Sequence, residues 1–219
     1  MTRVELALYI TTSEGLLRLD WSDTLATRLP AAPKSASALL KKGSELLVAT
    51  SSGLFASKDK GLTFTLRSGA ALFAQPLKAL VGSAAAARIF AAAQTGGLYF
   101  SDDSGASWNL GLVDGDVQAL GAAGAFVLVQ TSTGTHRSDN YGTTFHPIAV
   151  GAQPLGFGFS GTRAVAGTMG GVRVSDDGGK VWRDGNEGLP AAAQVSSVWV
   201  AGPAVVAATA NQVFVAGLF

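Results

Sequence analysis

The sequence contains no cysteine and only two histidines among its 219 residues. Disulfide bonds and thiolate chemistry are therefore excluded, which fits a reducing compartment. His136 and His146 lie ten residues apart, on segments that we predict to be different strands, and they show none of the short spacings typical of zinc ligands. The sequence predicts neither a metal site nor a bound cofactor.

Charge and long apolar runs are also scarce. Charged residues make up 14% of the chain and the formal net charge is +1, so no long-range field would gather nucleic acid or an anionic membrane. The apolar window 84–93 contains Arg88 and falls well short of the roughly 20 residues that span a bilayer. Glu5 interrupts the apolar start, which has no signal-peptide cleavage site. We therefore expect no nucleic-acid partner, no membrane insertion and a cytoplasmic location.

One short motif occurs four times, with the pattern Ser-x-Asp/Asn-x-Gly-x-Thr/Ser-aromatic, and Val181 replaces the Thr/Ser in the last copy. Asp or Asn accepts backbone N–H bonds inside a turn, Gly adopts positive φ without strain, and the aromatic ring packs away from water. We predict that each copy forms a rigid corner between two strands, and we call it a corner box. The defining residues are Ser57, Asp59, Gly61 and Phe64; Ser101, Asp103, Gly105 and Trp108; Ser138, Asn140, Gly142 and Phe145; and Ser175, Asp177, Gly179 and Trp182.

The boxes belong to a longer repeat. Before each box, a small or polar stretch leads to a glycine and a short apolar strand, and weaker copies open and close the chain. The marker residues are separated by 38, 44, 37, 37 and 41 residues, close to the roughly 40-residue period of a four-stranded propeller blade. The sequence predicts one all-β domain over 1–219, a β-propeller of six four-stranded blades, with five or seven as alternatives. The markers are Gly15, Gly53, Gly97, Gly134, Gly171 and Gln212.

Within a unit we expect four strands, named A to D. Strand B is a continuous apolar run such as 126–129, which predicts burial on both faces. Strand C follows the marker, and strand D begins at the box aromatic. The first unit begins at strand B and the last stops after strand C, giving about 22 strands where six full blades need 24. Either two blades have three strands, or the terminal segments combine within or between chains, since an open edge invites association.

The boxes resemble the Asp-box, or BNR, repeat of sialidases, sortilin-like receptors and photosystem II assembly factors. The segment 188–190, Gly-Leu-Pro, is also similar to a segment that follows the box in assembly-factor-like repeats. Asn140, Val181 and the first unit, which has no intact box, depart from the family pattern. The resemblance implies a propeller fold, and it places each box at the corner between strands C and D, away from any active centre.

Sialidases, which the chain resembles in its boxes, place an arginine cluster, a Tyr nucleophile with a Glu partner and an Asp acid on inner strands and adjoining loops. The inner-strand candidates here are mostly small, and Lys78 brings the only charge. No acid–base pair emerges, so we predict no catalytic residue. A calcium-loop role for the boxes is disfavoured, because such a loop alternates oxygen ligands, whereas a glycine stands two positions after each box Asp or Asn. A sialidase-like glycoside hydrolase is the alternative function.

The favoured function is a non-catalytic binding or assembly module that recognises a protein segment or a glycan. Propeller ligands usually meet the face that carries the B–C and D–A loops. The polar side chains there suit recognition, although Thr and Ser can also serve only as turn residues. Arg18, Arg137 and Arg173 hold equivalent strand-C positions and form either a patch for an acidic partner or local ion pairs. The predicted binding residues are Glu14, Ser51, Ser52, Gln94, Thr95, Gln130, Thr131, Ser132, Met169, Asn211 and Gln212.

Overall fold

The computed structural model describes residues 7–20, 24–68, 77–82, 88–93, 97–111, 115–190, 193–201 and 204–217. These residues form 22 strands in six antiparallel sheets. The described residues contain no helix, and so none that could cross a membrane. The predicted all-β fold, a six-bladed propeller built from four-stranded antiparallel blades, is confirmed.

Each sheet follows the chain order of its strands, so neighbours in sequence are neighbours in space. The second sheet contains β4 (Ala36–Lys42), β5 (Glu45–Thr50), β6 (Gly53–Ser57) and β7 (Thr65–Ser68). The third contains β8 (Leu77–Gly82), β9 (Ile89–Ala93), β10 (Leu98–Ser101) and β11 (Asn109–Leu110). The fourth contains β12 (Val117–Ala123), β13 (Phe126–Thr131), β14 (Gly134–Ser138) and β15 (His146–Ile148). The fifth contains β16 (Pro154–Ser160), β17 (Arg163–Thr168), β18 (Gly171–Ser175) and β19 (Arg183–Asp184).

The two terminal sheets have three described strands each. The first contains β1 (Ala7–Thr12), β2 (Gly15–Asp20) and β3 (Thr27–Arg28), and therefore starts at a strand of type B. The last contains β20 (Ser197–Ala201), β21 (Ala204–Ala208) and β22 (Val213–Gly217), and therefore stops at type C. The described terminal segments form separate three-stranded sheets, the first of the two arrangements that the sequence allows.

The core lies in the seams between blades. The B strands β5, β9, β13 and β17 are buried along nearly their whole lengths, as their uninterrupted apolar runs predict. In the seam between the second and third sheets, Leu54 packs with Ile89, Ala91 and Trp108. The A strands of consecutive sheets, from β4 to β20, contact one another and form the inner layer of the propeller.

The corner boxes connect strands C and D as predicted, with the same hydrogen bonds in each. In the third sheet, the Ser101 hydroxyl accepts the Gly105 N–H at 2.7 Å and donates to Asp103 Oδ1 at 2.7 Å. Asp103 Oδ1 also accepts the Ser107 N–H at 2.8 Å. The Trp108 indole N–H donates to the Gly105 carbonyl at 3.2 Å, which fixes the ring against the corner. Asn140 and Val181 therefore occupy boxes of ordinary geometry, because the amide oxygen and the backbone N–H supply the same contacts.

Candidate functional site

The antiparallel strands divide the loops between two faces. The B–C turns and the D–A connections lie on one face, which we call the loop face. The A–B turns and the four corner boxes lie on the opposite face, which we call the box face. Candidate recognition residues and box residues are therefore separated by the length of the blades, and substitutions can address each face independently.

A repeated β-bulge marks the centre of the loop face. The A strands of the second to fifth sheets each carry one extra residue at their second position, where the pairing with strand B shifts register. A bulge turns a side chain out of the regular ladder, and bulges are frequent next to functional sites. The extra residues, which we call the bulge row, are Ser37, Lys78, Gln118 and Leu155.

The bulge row is a mixed polar and apolar surface with one cation. Ser37, Lys78 and Gln118 are exposed, whereas Leu155 is half-buried. The Gln118 amide oxygen accepts a bond from the Gln153 side chain at 2.9 Å, which joins two neighbouring blades. Lys78 has no ion pair with another described residue. Lys78 therefore supplies the positive charge of the bulge row.

The sequence predicted that Lys78 lies on an inner strand, but it predicted neither Leu155 there nor the bulge itself. A signal was available, because an apolar–x–small triplet recurs as 36–38, 77–79, 117–119 and 154–156. The register shift depends on how strand A pairs with strand B, and this is a long-range property. Spacing along the chain locates the triplets without showing that their middle residue leaves the ladder.

Five B–C turns contain the same threonine hydrogen bond, which is the turn role that the sequence left open for Thr and Ser on this face. The hydroxyls of Thr50 and Thr168 donate to the carbonyl three residues later at 3.0 and 2.9 Å. They accept the N–H two residues later at 3.0 and 3.1 Å. Thr12, Thr131 and Thr209 make the same donation. These threonines fix the turn, and the side chains after them carry the exposed surface.

Two predicted binding residues lie inside a strand rather than in a loop. Gln130 and Thr131 end β13 and are 6% and 0% exposed. The Gln130 side chain donates to the Thr131 carbonyl at 2.7 Å, and its oxygen accepts the Thr135 hydroxyl. The Thr131 hydroxyl donates to the Gly134 carbonyl at 3.2 Å. The side chains of both residues are engaged in internal hydrogen bonds, because strand B extends to Thr131, beyond the apolar run 126–129 that predicted it.

The other described candidates reach the surface of the loop face. Glu14 pairs with Arg28 at 3.5 Å, and the Ser132 hydroxyl accepts the Asp116 N–H at 3.2 Å. The Met169 sulfur accepts the Gln194 amide at 2.7 Å. Gln94 and Thr95 lie outside the described residues. The exposed candidates are Glu14, Ser51, Ser52, Ser132, Met169, Asn211 and Gln212.

A cavity of about 370 Å³ joins a B–C turn to the neighbouring D–A connection. Ser51 and Ser52 of the turn line it together with Lys34 and Ser35 of the connection, and Phe55 is also part of the lining. Hydroxyl groups, an ammonium group and an aromatic ring make it suitable for a polar side chain of a ligand. Ser51 and Ser52, two of the predicted binding residues, therefore line the same cavity on the loop face.

The strand-C arginines pair locally and do not form a common basic patch. Arg18 contacts Asp20 at 2.7 Å, Arg137 contacts Asp139 at 3.0 Å, and Arg173 contacts Asp184 at 2.7 Å. Each pair lies within its own blade, so the charges are neutralised one by one. The structure thus shows the second of the two arrangements expected for these residues.

The carboxylates with displaced pKa values lie at the corner boxes. Hydrogen bonds from the hydroxyl and backbone amide of Thr63 lower the pKa of Asp59 to about 2. The equivalent bonds from Ser107 lower the pKa of Asp103. Burial opposes ionisation of Asp177, but the amides of Val181 and Lys180 and the Ser175 hydroxyl outweigh it and lower the pKa. These groups are anions fixed in turns, unlike the raised-pKa carboxyl of a general acid. Among the described residues, no three His, Cys, Asp or Glu side chains gather as metal ligands would.

Comparison with solved structures supports the architecture. The GH74 xyloglucanase from Xanthomonas campestris superposes with a TM-score of 0.70 at 15% identity, over 97% of this chain and 42% of that one. YCF48 from Cyanidioschyzon merolae gives 0.59 at 12% identity, over 87% and 70%. A chain of the nidogen/laminin complex gives 0.66 at 12% identity, over 97% and 89%. These likenesses show a shared propeller fold. This chain spans less than half of the xyloglucanase.

No model of a protein family matches the sequence, and no curated protein matches it. The propeller neighbours include a glycoside hydrolase as well as a chain from a protein–protein complex. Fold alone therefore does not decide between catalysis and binding.

Proposed function

We propose that this chain is an Asp-box propeller domain over 1–219 that recognises a protein segment, without catalysis, through the bulge row and the surrounding turns. The proposal rests on the bulge row at the centre of the loop face. It presents hydrogen-bonding side chains, one apolar side chain and Lys78, a cation without an ion pair to another described residue. An extended segment with an acidic residue complements all three features. Its backbone can hydrogen-bond to the polar side chains, an apolar side chain can contact Leu155, and its carboxylate can pair with Lys78.

Two further observations favour recognition over hydrolysis. Glycosidases use a pair of carboxyl groups, one of which has a raised pKa. The bulge row contains no carboxylate, and the displaced carboxylates among the described residues have lowered pKa values on the box face.

Charge reversal at the bulge row tests the proposal. Affinity purification with the wild-type chain should recover a partner that Lys78→Glu loses, since that variant would repel the acidic segment. Lys180→Glu is the matched control: Lys180 is exposed in the corner box of the fifth sheet, on the opposite face, and should retain the partner. Equal loss with both variants would reject the loop face as the binding surface.

Glycan recognition is the second candidate, favoured by the hydroxyl-lined cavity beside Ser51 and Ser52. A glycan array with the wild-type chain and with a Ser51→Ala/Ser52→Ala variant distinguishes it from protein recognition. Binding of one sugar class that the double variant abolishes would replace the protein-segment proposal. Turnover of a fluorogenic sialoside or glucoside would replace both with the hydrolase alternative.

A further inference from the structure

An apolar groove of about 380 Å³ lies between the fifth and the last sheets. Val172 and Val174 of β18 line one wall, and Val205 and Ala207 of β21 line the other. Glu187 lies at its rim, exposed and without an ion pair to another described residue. The groove is separate from the bulge row, because it opens along the outer strands of these two sheets.

The same positions in another seam of the propeller are packed around a tryptophan, and this comparison indicates what the groove can bind. In the seam between the second and third sheets, the equivalent strand-C residues are Leu54 and Ala56. The equivalent strand-B residues are Ile89 and Ala91, and all four belong to one buried cluster that also contains Trp108. The groove therefore repeats the seat of a box tryptophan.

Register fixes this equivalence. Leu54 and Val172 each follow a marker glycine at the start of strand C. Ile89 pairs opposite the box serine Ser101, and Val205 pairs opposite Ala216, which holds the same position in β22. The wall residues thus correspond one to one between the two seams.

The aromatic that would fill the seat is missing from the described part of the last sheet. Ala216 stands where four other sheets carry the box serine, so the hydroxyl that closes each corner is not available there. Beyond β22 the sheet has no fourth described strand, and the outer edge of β22 is left without a partner strand among the described residues. Val213 and Val215 on this strand are 66% and 70% exposed.

We propose that this groove is a docking site for an extended segment of a partner protein that carries a tryptophan or phenylalanine. The aromatic side chain enters the seat, and the backbone adds to the edge of β22 as a fourth strand. In the third sheet, Trp108 is followed by Asn109 and Leu110, which pair with Phe100 and Tyr99. By the same register, the two residues after the incoming aromatic pair with Val215 and Phe214 of β22.

The chemistry of the occupant follows from the same features. An open strand edge supplies backbone hydrogen bonds to any extended polypeptide, and the seat selects a large aromatic side chain, the type most common at interface hot spots. Arg183 and Asp184 also line the groove, but each is paired with another residue. Glu187 has no ion pair to another described residue, so it favours a basic residue in the segment. If a second copy of this chain occupied the groove instead, the protection of β22 would depend on protein concentration.

The chain itself provides a probe. A fluorescein-labelled peptide with the sequence of residues 105–111, extended by one lysine, carries Trp108 in its own strand-D context. We expect it to bind the wild-type protein, and the same peptide with Trp108→Ala to bind at least about tenfold more weakly, as for loss of a hot-spot side chain. Equal binding of the two peptides, or a Kd weaker than about 1 mM for the tryptophan peptide, overturns the proposal.

Variants of the protein locate the binding. Ala207→Trp fills the seat and should weaken the tryptophan peptide at least about tenfold, whereas Val181→Trp, at a position 67% exposed in a corner box, should leave its affinity unchanged. Lys78→Glu should also leave it unchanged, which separates this site from the loop face. Unchanged affinity in Ala207→Trp overturns the proposal.

Hydrogen exchange on the wild-type protein is independent of how these variants fold. The amides of β22 should gain protection with the tryptophan peptide and not with the alanine peptide. Protection of β22 without any peptide that disappears on dilution would instead show a second copy of the chain in the groove, and would overturn the partner-segment proposal. No change at β22 with either peptide would also overturn it.

Discussion

At the scale of single residues, the corner boxes show how a short motif specifies a turn. The box serine holds the amide of the corner glycine, and the following Asp or Asn holds the amide four residues after it. Asn140 accepts the same serine hydroxyl and backbone amide as Asp59. Towards the Thr144 hydroxyl its own amide donates, at 2.8 Å, where Asp59 accepts the Thr63 hydroxyl. The negative charge is consequently dispensable for geometry, although it makes stability depend on pH.

The acid dependence of stability tests the role of the box charges. Asp59 has a folded-state pKa of about 2, below its ordinary value of 3.8, and the pKa of Asp103 is lowered in the same way. A depressed folded pKa stabilises the native state above the unfolded pKa, and this contribution is lost as pH falls through the folded value. We expect Asp59→Asn/Asp103→Asn to fold normally and to lose less stability than the wild type between about pH 4 and pH 2.

Urea unfolding midpoints over that pH range provide the measurement. Glu187→Gln is the control, since this exposed carboxylate has no hydrogen bond to another described residue in the structure and should follow the wild-type curve. If the double variant and the wild type have the same pH slope, the box carboxylates do not carry the acid sensitivity.

Two glycines with positive φ, one in a corner box and one in an A–B turn, provide a second test. Comparing them separates the cost of backbone strain from the cost of a steric clash. Gly142 has φ of +72°, and a Cβ there would lie 2.5 Å from Cζ of Phe90 in the preceding sheet. Gly161 has φ of +61°, and a Cβ there would have no atom within 4 Å. Alanine at either site costs about 1 kcal/mol or more for the left-handed backbone. Only Gly142→Ala adds overpacking, of about 1–3 kcal/mol. Equal midpoints for the two variants in urea would contradict this.

At the scale of strands and turns, the sequence predicted the repeat more completely than the surface. Continuous apolar runs identified the B strands, and the box pattern located the C–D corners, since both signals are local. The bulge row and the depth of Gln130 were not predictable in this way. The bulge row depends on the register in which strand A pairs with strand B. The burial of Gln130 depends on how far strand B extends before the chain reaches the surface. The repeat spacing specifies neither of these. The sequence therefore predicted that the candidate site lies on the loop face, but it did not predict that the bulge row forms its centre.

The box aromatics differ in burial, so their removal should have different effects. Trp108 is 6% exposed within the seam between the second and third sheets, whereas Trp182 is only half-buried. Truncation of a fully buried Trp typically costs about 3–5 kcal/mol. We expect Trp108→Ala to approach that cost and Trp182→Ala to lose distinctly less in urea unfolding. A larger loss for Trp182→Ala would show that corner position, rather than burial, determines the contribution.

The boxes should not respond to calcium. Both oxygens of Asp103 already accept hydrogen bonds, from the amide and hydroxyl of Ser107 and from Ser101. A cation that bound the folded state at 100 times its Kd would add about 2.7 kcal/mol, so thermal melts with and without Ca²⁺ provide a sensitive comparison. We expect the same Tm in both. An increase that Asp103→Ala removes would make this corner a metal site.

At the scale of the whole molecule, the propeller is a series of seams in which each blade is covered by the next. Four consecutive sheets have complete sets of described strands, and their B strands are buried on both faces. The last sheet differs. Its strand β22 is largely exposed, and Trp199 on β20 is 55% exposed. Trp199, Val206 and Val215 lie side by side across that sheet, so its outward face presents an apolar stripe.

Stability should therefore be graded along the chain. In repeat architectures each unit is held mainly by its neighbours, and local opening requires only the free energy of the weakest seam. Among the described residues, the last sheet borders the apolar groove on one side and presents an exposed apolar stripe on the other, while β13 of the fourth sheet is enclosed on both sides. We expect the amides of β21 to exchange with solvent at least about tenfold faster than those of β13 under native conditions. Hydrogen exchange followed by mass spectrometry measures both strands in one sample.

The docking peptide should slow exchange in the last sheet and leave β13 unchanged, because filling the seat stabilises only the seam that it completes. Uniform exchange rates from the fourth to the last sheet would mean that the propeller opens as one cooperative unit.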